Sequence, residues 1–261
     1  MNIVKKRFLN NYSEIVERLI PDTIGWKEHF DQFLIKYRLA SYFCINKKVL
    51  DAACGSGYFS NFLKQKGAKS VLGIDCDSEI INFANKNFSC SNVSFQVARV
   101  ENLRSVFNEC FDVVVSIETI EHVIEQNKVI ENLHYILCKE GFLIISTPNK
   151  QLSGNCNPFH VRELNLSEFK ALVEKHFTII KIIGYQINKK LFLKKTSKIH
   201  RFIAIHTPSW IKKAIPFTIK LNIGKVLNRK QKITYTLSDI KQTENEDDFE
   251  NCYEWLIVAK K

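Results

Sequence analysis

Apolar positions along the chain fall into two alternating rhythms. Short continuous apolar runs occur at Lys48 to Ala52, Ser70 to Ile74, Val93 to Val97, Phe111 to Ser116 and Phe142 to Ser146. Longer segments with apolar residues every three or four positions lie between them, at Tyr58 to Lys66, Ser78 to Asn87 and Val123 to Leu137. The first rhythm belongs to strands buried on both faces, the second to amphipathic helices. Strands alternating with helices imply right-handed crossovers and a mainly parallel sheet covered on both sides. A further helix is predicted at Asn165 to Lys175, a strand at Phe177 to Gly184 and a closing strand at Tyr253 to Ala259. The expected fold is therefore α/β, a Rossmann-like, seven-stranded, mostly parallel sheet with helices on both faces. Apolar residues at helical spacing through His29-Phe30, Phe33-Leu34 and Tyr37 to Phe43 make 1–46 an N-terminal helical cap. The core then spans 47–185, an insertion 186–245, and the last core strand 246–261. Gln242 to Glu250, rich in Asp, Glu and Asn, reads as a solvated loop.

Composition changes the picture at two points. The formal net charge of +11 suggests an anionic partner, but residues 189–232 hold 13 of the 38 basic residues and none of the 27 acidic ones. The excess sits in one segment, where Leu191-Phe192-Leu193, Phe202-Ile203, Trp210-Ile211 and Ile215 to Phe217 interleave with the lysines. Such a basic amphipathic stretch suits an anionic membrane surface, a wall that grips diphosphates, or a helical subdomain packed on the sheet or a second subunit. Nucleic acid is not favoured, since no recognition motif accompanies the charge. Eight cysteines without a C-x-x-C pair point to neither a zinc ribbon nor a disulfide framework, and they read as reduced thiols. No apolar run reaches membrane-spanning length and the first residues lack a signal peptide's apolar block, so a cytoplasmic protein is expected, with peripheral membrane contact through 189–232 left open.

The chemistry begins where the first strand ends. Asp51-Ala52-Ala53-Cys54-Gly55-Ser56-Gly57 joins it to the next helix, and glycines there let backbone approach a ligand beyond the strands' carboxyl ends. Val71-Leu72-Gly73-Ile74-Asp75 ends the second strand in a carboxylate placed to accept hydrogen bonds from both hydroxyls of a ribose. A dinucleotide fingerprint would carry a third glycine at position 60, where this chain has Ser60, so an oxidoreductase is disfavoured.

These motifs, followed by Phe111 to Val123 and by Gly141 to Asn149, resemble in order those of Rossmann-fold, class I methyltransferases dependent on S-adenosylmethionine (SAM), over about residues 17 to 185. Within that superfamily Glu17 to Pro21, Ser146-Thr147-Pro148-Asn149 and Asn157 to Glu163 are most similar to bacterial methyltransferases of surface-glycan (O-antigen or capsule) biosynthesis. The resemblance implies a SAM site built from Asp51, Ala53, Cys54, Gly55, Gly57, Asp75, Cys76, Arg99, Val100, Ser116 and Ile117, with S-adenosylhomocysteine (SAH) as product. One departure is Arg99, which lies where such enzymes often place an acid for the adenine amine. Arginine cannot accept that hydrogen bond, which leaves the backbone of Ala98 to Val100 to hold the base.

On the acceptor side, Glu118, Glu121 and His122 follow the fourth strand. His122 is the first candidate for a base that deprotonates a hydroxyl, with Glu118 and His160 as further catalytic candidates. A loop at Pro158-Phe159-His160 is expected to cover the acceptor, with Arg162 holding a phosphate or carboxylate, or else forming with Glu163 a solvated pair at a helix start. The spacing of Glu118, Glu121 and His122 also fits three metal ligands on one helical face, with His160 as a fourth. E-x-x-E-H resembles the metal-binding stretch of ubiquinone-pathway O-methyltransferases and small-RNA 3′-end methyltransferases. The reading without metal is preferred, because the RNA enzymes' second histidine is replaced here by Val161-Arg162-Glu163. The function expected is O-methylation of a sugar in a surface glycan or its nucleotide- or lipid-linked precursor. The alternatives are a quinone- or phenol-type O-methyltransferase and a non-catalytic SAM-binding protein.

Overall fold

The structure, a computed structural model, describes residues 19–153, 157, 159–187 and 237–261. The basic segment 189–232 lies outside the described residues. Among those described, no helix is long and apolar enough to cross a membrane.

One sheet organises the molecule. Its strands are β1 (Lys48–Ala52), β2 (Ser70–Asp75), β3 (Val93–Val97), β4 (Phe111–Ser116), β5 (Leu137–Pro148), β6 (Thr178–Ile187), β7 (Ile240–Thr243) and β8 (Glu254–Lys260). They lie in the order β3-β2-β1-β4-β5-β8-β6-β7. The first five are parallel, and β8 inserts antiparallel between β5 and β6. The chain order reverses between β1 and β4, which opens a crevice at the carboxyl ends of those strands.

Alternate residues of each strand feed opposite cores. Leu50, Val114 and Leu143 pack with α5 (Gln126–Ile136) and α7 (Leu166–Glu174) on one face. Val49, Val113 and Val115 pack with α1 (Ile24–Cys44) and α2 (Tyr58–Gln65) on the other. α3 (Ser78–Phe88) covers β3 through Ile80, Ile81 and Ala84. The helix starts have chemical causes. Thr23 caps α1 by accepting from the N–H of Trp26, Asp77 caps α3, and Asn165 and Glu168 close a reciprocal capping box on α7.

The sheet has eight strands rather than the expected seven. The extra strand, β7, pairs antiparallel with β6, and only Ile240 and Thr243 of its four residues are buried, which leaves little apolar signal. The stretch expected as a solvated loop is instead partly this strand and partly a 3-10 helix at Glu246–Asn251. That helix buries Phe249, and Thr243 Oγ1 donates to Asp248 Oδ2 at 2.8 Å. The cysteines are not all reduced: Cys110 and Cys138 form a disulfide, with Cα atoms 5.1 Å apart. Phe111 and Leu137 are cross-strand partners at the start of β4 and β5, so their sequence neighbours meet there, a proximity invisible in the spacing.

Candidate active site

The carboxyl ends of β1 to β4 enclose a cleft walled on one side by α1. The glycine turn forms its floor. Cys54 N–H donates to the Ile74 carbonyl at 2.8 Å, and the turn bends through left-handed conformations at Ala53 (φ 69°) and Gly55 (φ 54°). Gly55 N–H donates to Asp75 Oδ2 at 3.2 Å, and Asp77 N–H to Oδ1 at 3.1 Å. Both carboxylate oxygens of Asp75 are thus oriented by backbone at the rim of the cleft.

Ala53, Cys54, Gly55, Asp75, Cys76, Arg99, Val100 and Ile117, all expected at the donor, line this cleft. Asp51, Gly57 and Ser116 do not. Asp51 lies beneath the turn, fully buried, where it accepts from Tyr37 Oη at 2.9 Å and Ser60 Oγ at 2.6 Å. Burial raises its pKa to about 6, against the opposing pull of those two hydrogen bonds. Ser60, at the position of the missing third glycine, is therefore a hydrogen-bond donor to the acid that supports the turn. Gly57 serves packing rather than ligand approach. Its φ is 81°, and a Cβ there would meet the Phe95 ring at 2.6 Å and Ala84 Cβ at 2.8 Å. Ser116 is buried at the end of β4.

At the adenine end Arg99 turns its guanidinium to Glu101 Oε1 at 3.1 Å. Glu101 itself lines the cleft. An acid is thus present two positions beyond the one where the sequence was expected to supply it.

α1 brings groups not foreseen from the sequence. Phe33 and Tyr37 line the cleft, and the Tyr37 and Phe59 rings stack with centroids 4.5 Å apart. Lys36, fully buried, reaches Glu254 Oε2 at 2.5 Å and Glu118 Oε1 at 3.0 Å. Burial opposes the charge on Lys36, but the two carboxylates more than offset this and hold its pKa above the ordinary lysine value. The hint in the sequence was a lysine on the apolar stripe formed by Phe33 and Tyr37.

The acceptor candidates divide into two groups. Glu118 turns to Lys36 and to Ser146, whose Oγ donates to Glu118 Oε1 at 2.6 Å. Glu121, His122 and His160 converge instead, with ligand-type atoms within 4.8 Å of one another. The expected helical face is absent because Glu118 has φ 52° and only Ile120–His122 forms a 3-10 turn. His122 lines the cleft, and its ring meets that of His160 edge to face at 4.8 Å between centroids. His122 Nδ1 lies 3.3 Å from the Phe159 carbonyl, which only accepts, so Nδ1 carries a proton, while Nε2 lies 3.8 Å from Glu121 Oε1. His160 Nδ1 is held by Glu163 Oε1 at 2.5 Å.

Glu163 is buried, not solvated, and Ser153 donates to its other oxygen. Arg162 does remain exposed and pairs with Glu168 at 3.2 Å. The Val161 and Arg162 N–H groups both donate to the Glu121 carbonyl, at 2.8 and 3.1 Å, which pins this loop beside His122. Glu121 is fully buried, and burial followed by the charge of Glu118 raises its pKa well above the carboxylate range. Its Oε2 accepts from Thr147 at 3.3 Å, while Oε1 has no hydrogen-bond partner and lies 3.8 Å from His122 Nε2.

A depression of about 620 Å³ lies at the opposite, amino ends of the strands, around Lys48, Ser70, Asn92 and Glu109. Its ammonium group, that of Lys48, pairs with Glu109 at 2.7 Å, and the depression lies at the wrong end of a parallel sheet for a ligand.

A crevice at the strand reversal, a backbone-oriented carboxylate on β2 and a histidine beside β4 thus share one cleft on a Rossmann-like sheet. Comparison with known proteins is more specific. A family profile described as a methyltransferase domain matches residues 45–236, and the chain belongs to that family. A probable SAM-dependent methyltransferase of Mycolicibacterium smegmatis is 28% identical over 163 residues, 60% of this chain and 62% of that protein. A ubiquinone biosynthesis O-methyltransferase of Haemophilus ducreyi is 38% identical over 115 residues, 41% of this chain and 48% of that protein. The chain thus spans less than two thirds of each relative. The N-methyltransferase NodS of Bradyrhizobium japonicum, solved in complex with SAH, shares the fold. Its TM-score is 0.57 at 14% identity, over 97% of this chain and 98% of that one.

Proposed function

We propose that the protein transfers a methyl group from SAM to a hydroxyl of a sugar, in a bacterial surface glycan or its nucleotide- or lipid-linked precursor, with His122 as the base. The observation that supports the reaction type is the placement of His122 at the cleft wall, with Nδ1 donating to the Phe159 carbonyl and Nε2 3.8 Å from the buried carboxyl of Glu121. SAM fits the donor half. Asp75 is oriented to take a ribose diol, Ala98 to Glu101 form an edge for a purine, and the turn at Ala53 to Gly55 leaves space above β1.

SAM supplies an electrophilic methyl group on a sulfonium. The chain's part is to align the acceptor oxygen with that methyl, exclude water and remove a proton at His122 Nε2. Glu121 and His160, packed against His122, set the charge around it, and Glu163 fixes the His160 ring. The sugar reading is supported by the motifs at 146–149 and 157–163 and by the aromatic rings of Phe33 and Phe59, which line the same cleft as the histidine. The relative named as a ubiquinone biosynthesis O-methyltransferase keeps a quinone- or phenol-type acceptor as the competing reading. Turnover measured as SAH release against nucleotide-sugars, extracted glycan and catechol-type phenols tests this. Turnover with phenols alone overturns the sugar, and absence of turnover with every acceptor supports a non-catalytic binder.

A second reading is favoured by the orphaned Glu121 Oε1 beside two histidines. Glu121, His122 and His160 are a donor set suited to a divalent cation, with Glu163 behind His160 in the manner of an outer-shell carboxylate. Such an ion would lower the pKa of an acceptor hydroxyl. Activity lost on exhaustive chelation and restored by a divalent salt supports it; activity untouched by chelation removes it.

A further inference from the structure

We propose that Glu118 receives the α-ammonium group of the methyl donor and is presented for that purpose by Lys36 and Ser146. The proposal rests on the SAM reading above. The sheet order β3-β2-β1-β4 lays the donor out along the cleft. With the base against Ala98 to Glu101 beyond β3 and the ribose on Asp75 at the tip of β2, the 5′ substituent extends over β1 toward β4. In SAM that substituent is an amino acid, with one cation beyond the sulfonium.

Glu118 is the carboxylate that lines this end of the cleft among the described residues. Its side chain is 14% exposed. Oε1 is doubly engaged, by Ser146 Oγ at 2.6 Å and Lys36 Nζ at 3.0 Å, whereas Oε2 receives no hydrogen bond among the described residues. The backbone is held in place as well. Glu118 takes a left-handed φ of 52°, a conformation that costs an L-residue about 1–2 kcal/mol, and its N–H donates to Ser146 Oγ at 3.1 Å.

Neutralising Lys36 does not demand this arrangement, since Glu254 approaches Lys36 more closely, at 2.5 Å. Lys36 divides one charge between two carboxylates and so leaves Glu118 only partly compensated. A cation at the cleft wall completes it, in a partly desolvated setting where charge-assisted hydrogen bonds are strong. Strain of this kind persists where surrounding structure enforces a functional orientation.

Titration calorimetry on the full chain separates the outcomes. The probes are SAH, which carries the ammonium, and 5′-methylthioadenosine, which keeps the nucleoside and thioether but lacks the amino acid. Glu118→Gln is expected to weaken SAH by about 10- to 100-fold, the range of a hydrogen bond to a charged group, while leaving 5′-methylthioadenosine affinity unchanged. Parallel loss for both ligands, or no loss for either, overturns the assignment. Should the variant fail to fold, the wild-type chain still decides: deaminated SAH is expected to bind at least about tenfold more weakly than SAH, and equal binding overturns the proposal. A wild-type chain that binds neither SAH nor 5′-methylthioadenosine refutes the SAM reading itself.

Discussion

The donor half and the acceptor half of the cleft are built differently. The donor half is largely backbone: the turn from Ala53 to Gly55, and Asp75 oriented by two N–H groups, all within residues 53–77 of the chain. The acceptor half, together with the carboxylate proposed for the donor's amino-acid end, is made of side chains from distant segments: Lys36 from α1, Glu118 to His122 after β4, His160 and Glu163 from a later loop, and Glu254 from β8. A backbone-built site specifies one ligand class through fold alone, whereas an assembled one changes with each contributing segment. On the proposed reading the donor half carries the family's signature, and the acceptor half sets what is modified.

The sharpest way to break that division is at His122. His122→Ala is expected to lower kcat by about 10²- to 10⁴-fold while SAH affinity measured by calorimetry stays unchanged. Equal losses of both would make His122 a structural part of the donor site. A smaller effect is expected at Gly57, which supports the donor turn by packing. Gly57→Ala should destabilise the fold by about 2–5 kcal/mol in denaturant melts, because a left-handed φ and a clash with Phe95 add together. A stable variant would show that α2 shifts freely.

The mildest test concerns Asp51. Burial raises its folded pKa from 3.8 to about 6, so its contribution to stability is full below 3.8 and is lost as pH rises through 6. Unfolding free energies compared between pH ~3.5 and pH ~7 should show that part of the fall, about 3 kcal/mol, in the wild type and not in Asp51→Asn. An identical pH profile in both would mean that Tyr37 and Ser60 stabilise the carboxylate fully.

What was legible in the sequence follows the same division. Strand and helix positions through β4 were set by local apolar rhythm, and β1, β3 and β4 begin and end where their apolar runs do. Gly55 and Asp75 were readable because a turn and a strand tip are local events. Lys36 was not, since a lysine's burial depends on two carboxylates 82 and 218 positions away. Glu163 looked like a surface residue beside Arg162, and only the folded loop shows it under His160. Asp51 was assigned to the ligand because the acid at a strand end invites that reading, yet Tyr37 from α1 closes over it. The 3-10 turn at Ile120–His122 likewise broke the helical spacing that would have put Glu118 with Glu121.

A crystal structure of the full chain with SAH tests the central claim most directly. The account predicts the purine against Ala98 to Glu101, the ribose hydroxyls on Asp75 and the amino-acid end over β1 at Glu118, with His122 beside the thioether. Density for SAH elsewhere, or a cleft that excludes it while α1 stays in place, would contradict it.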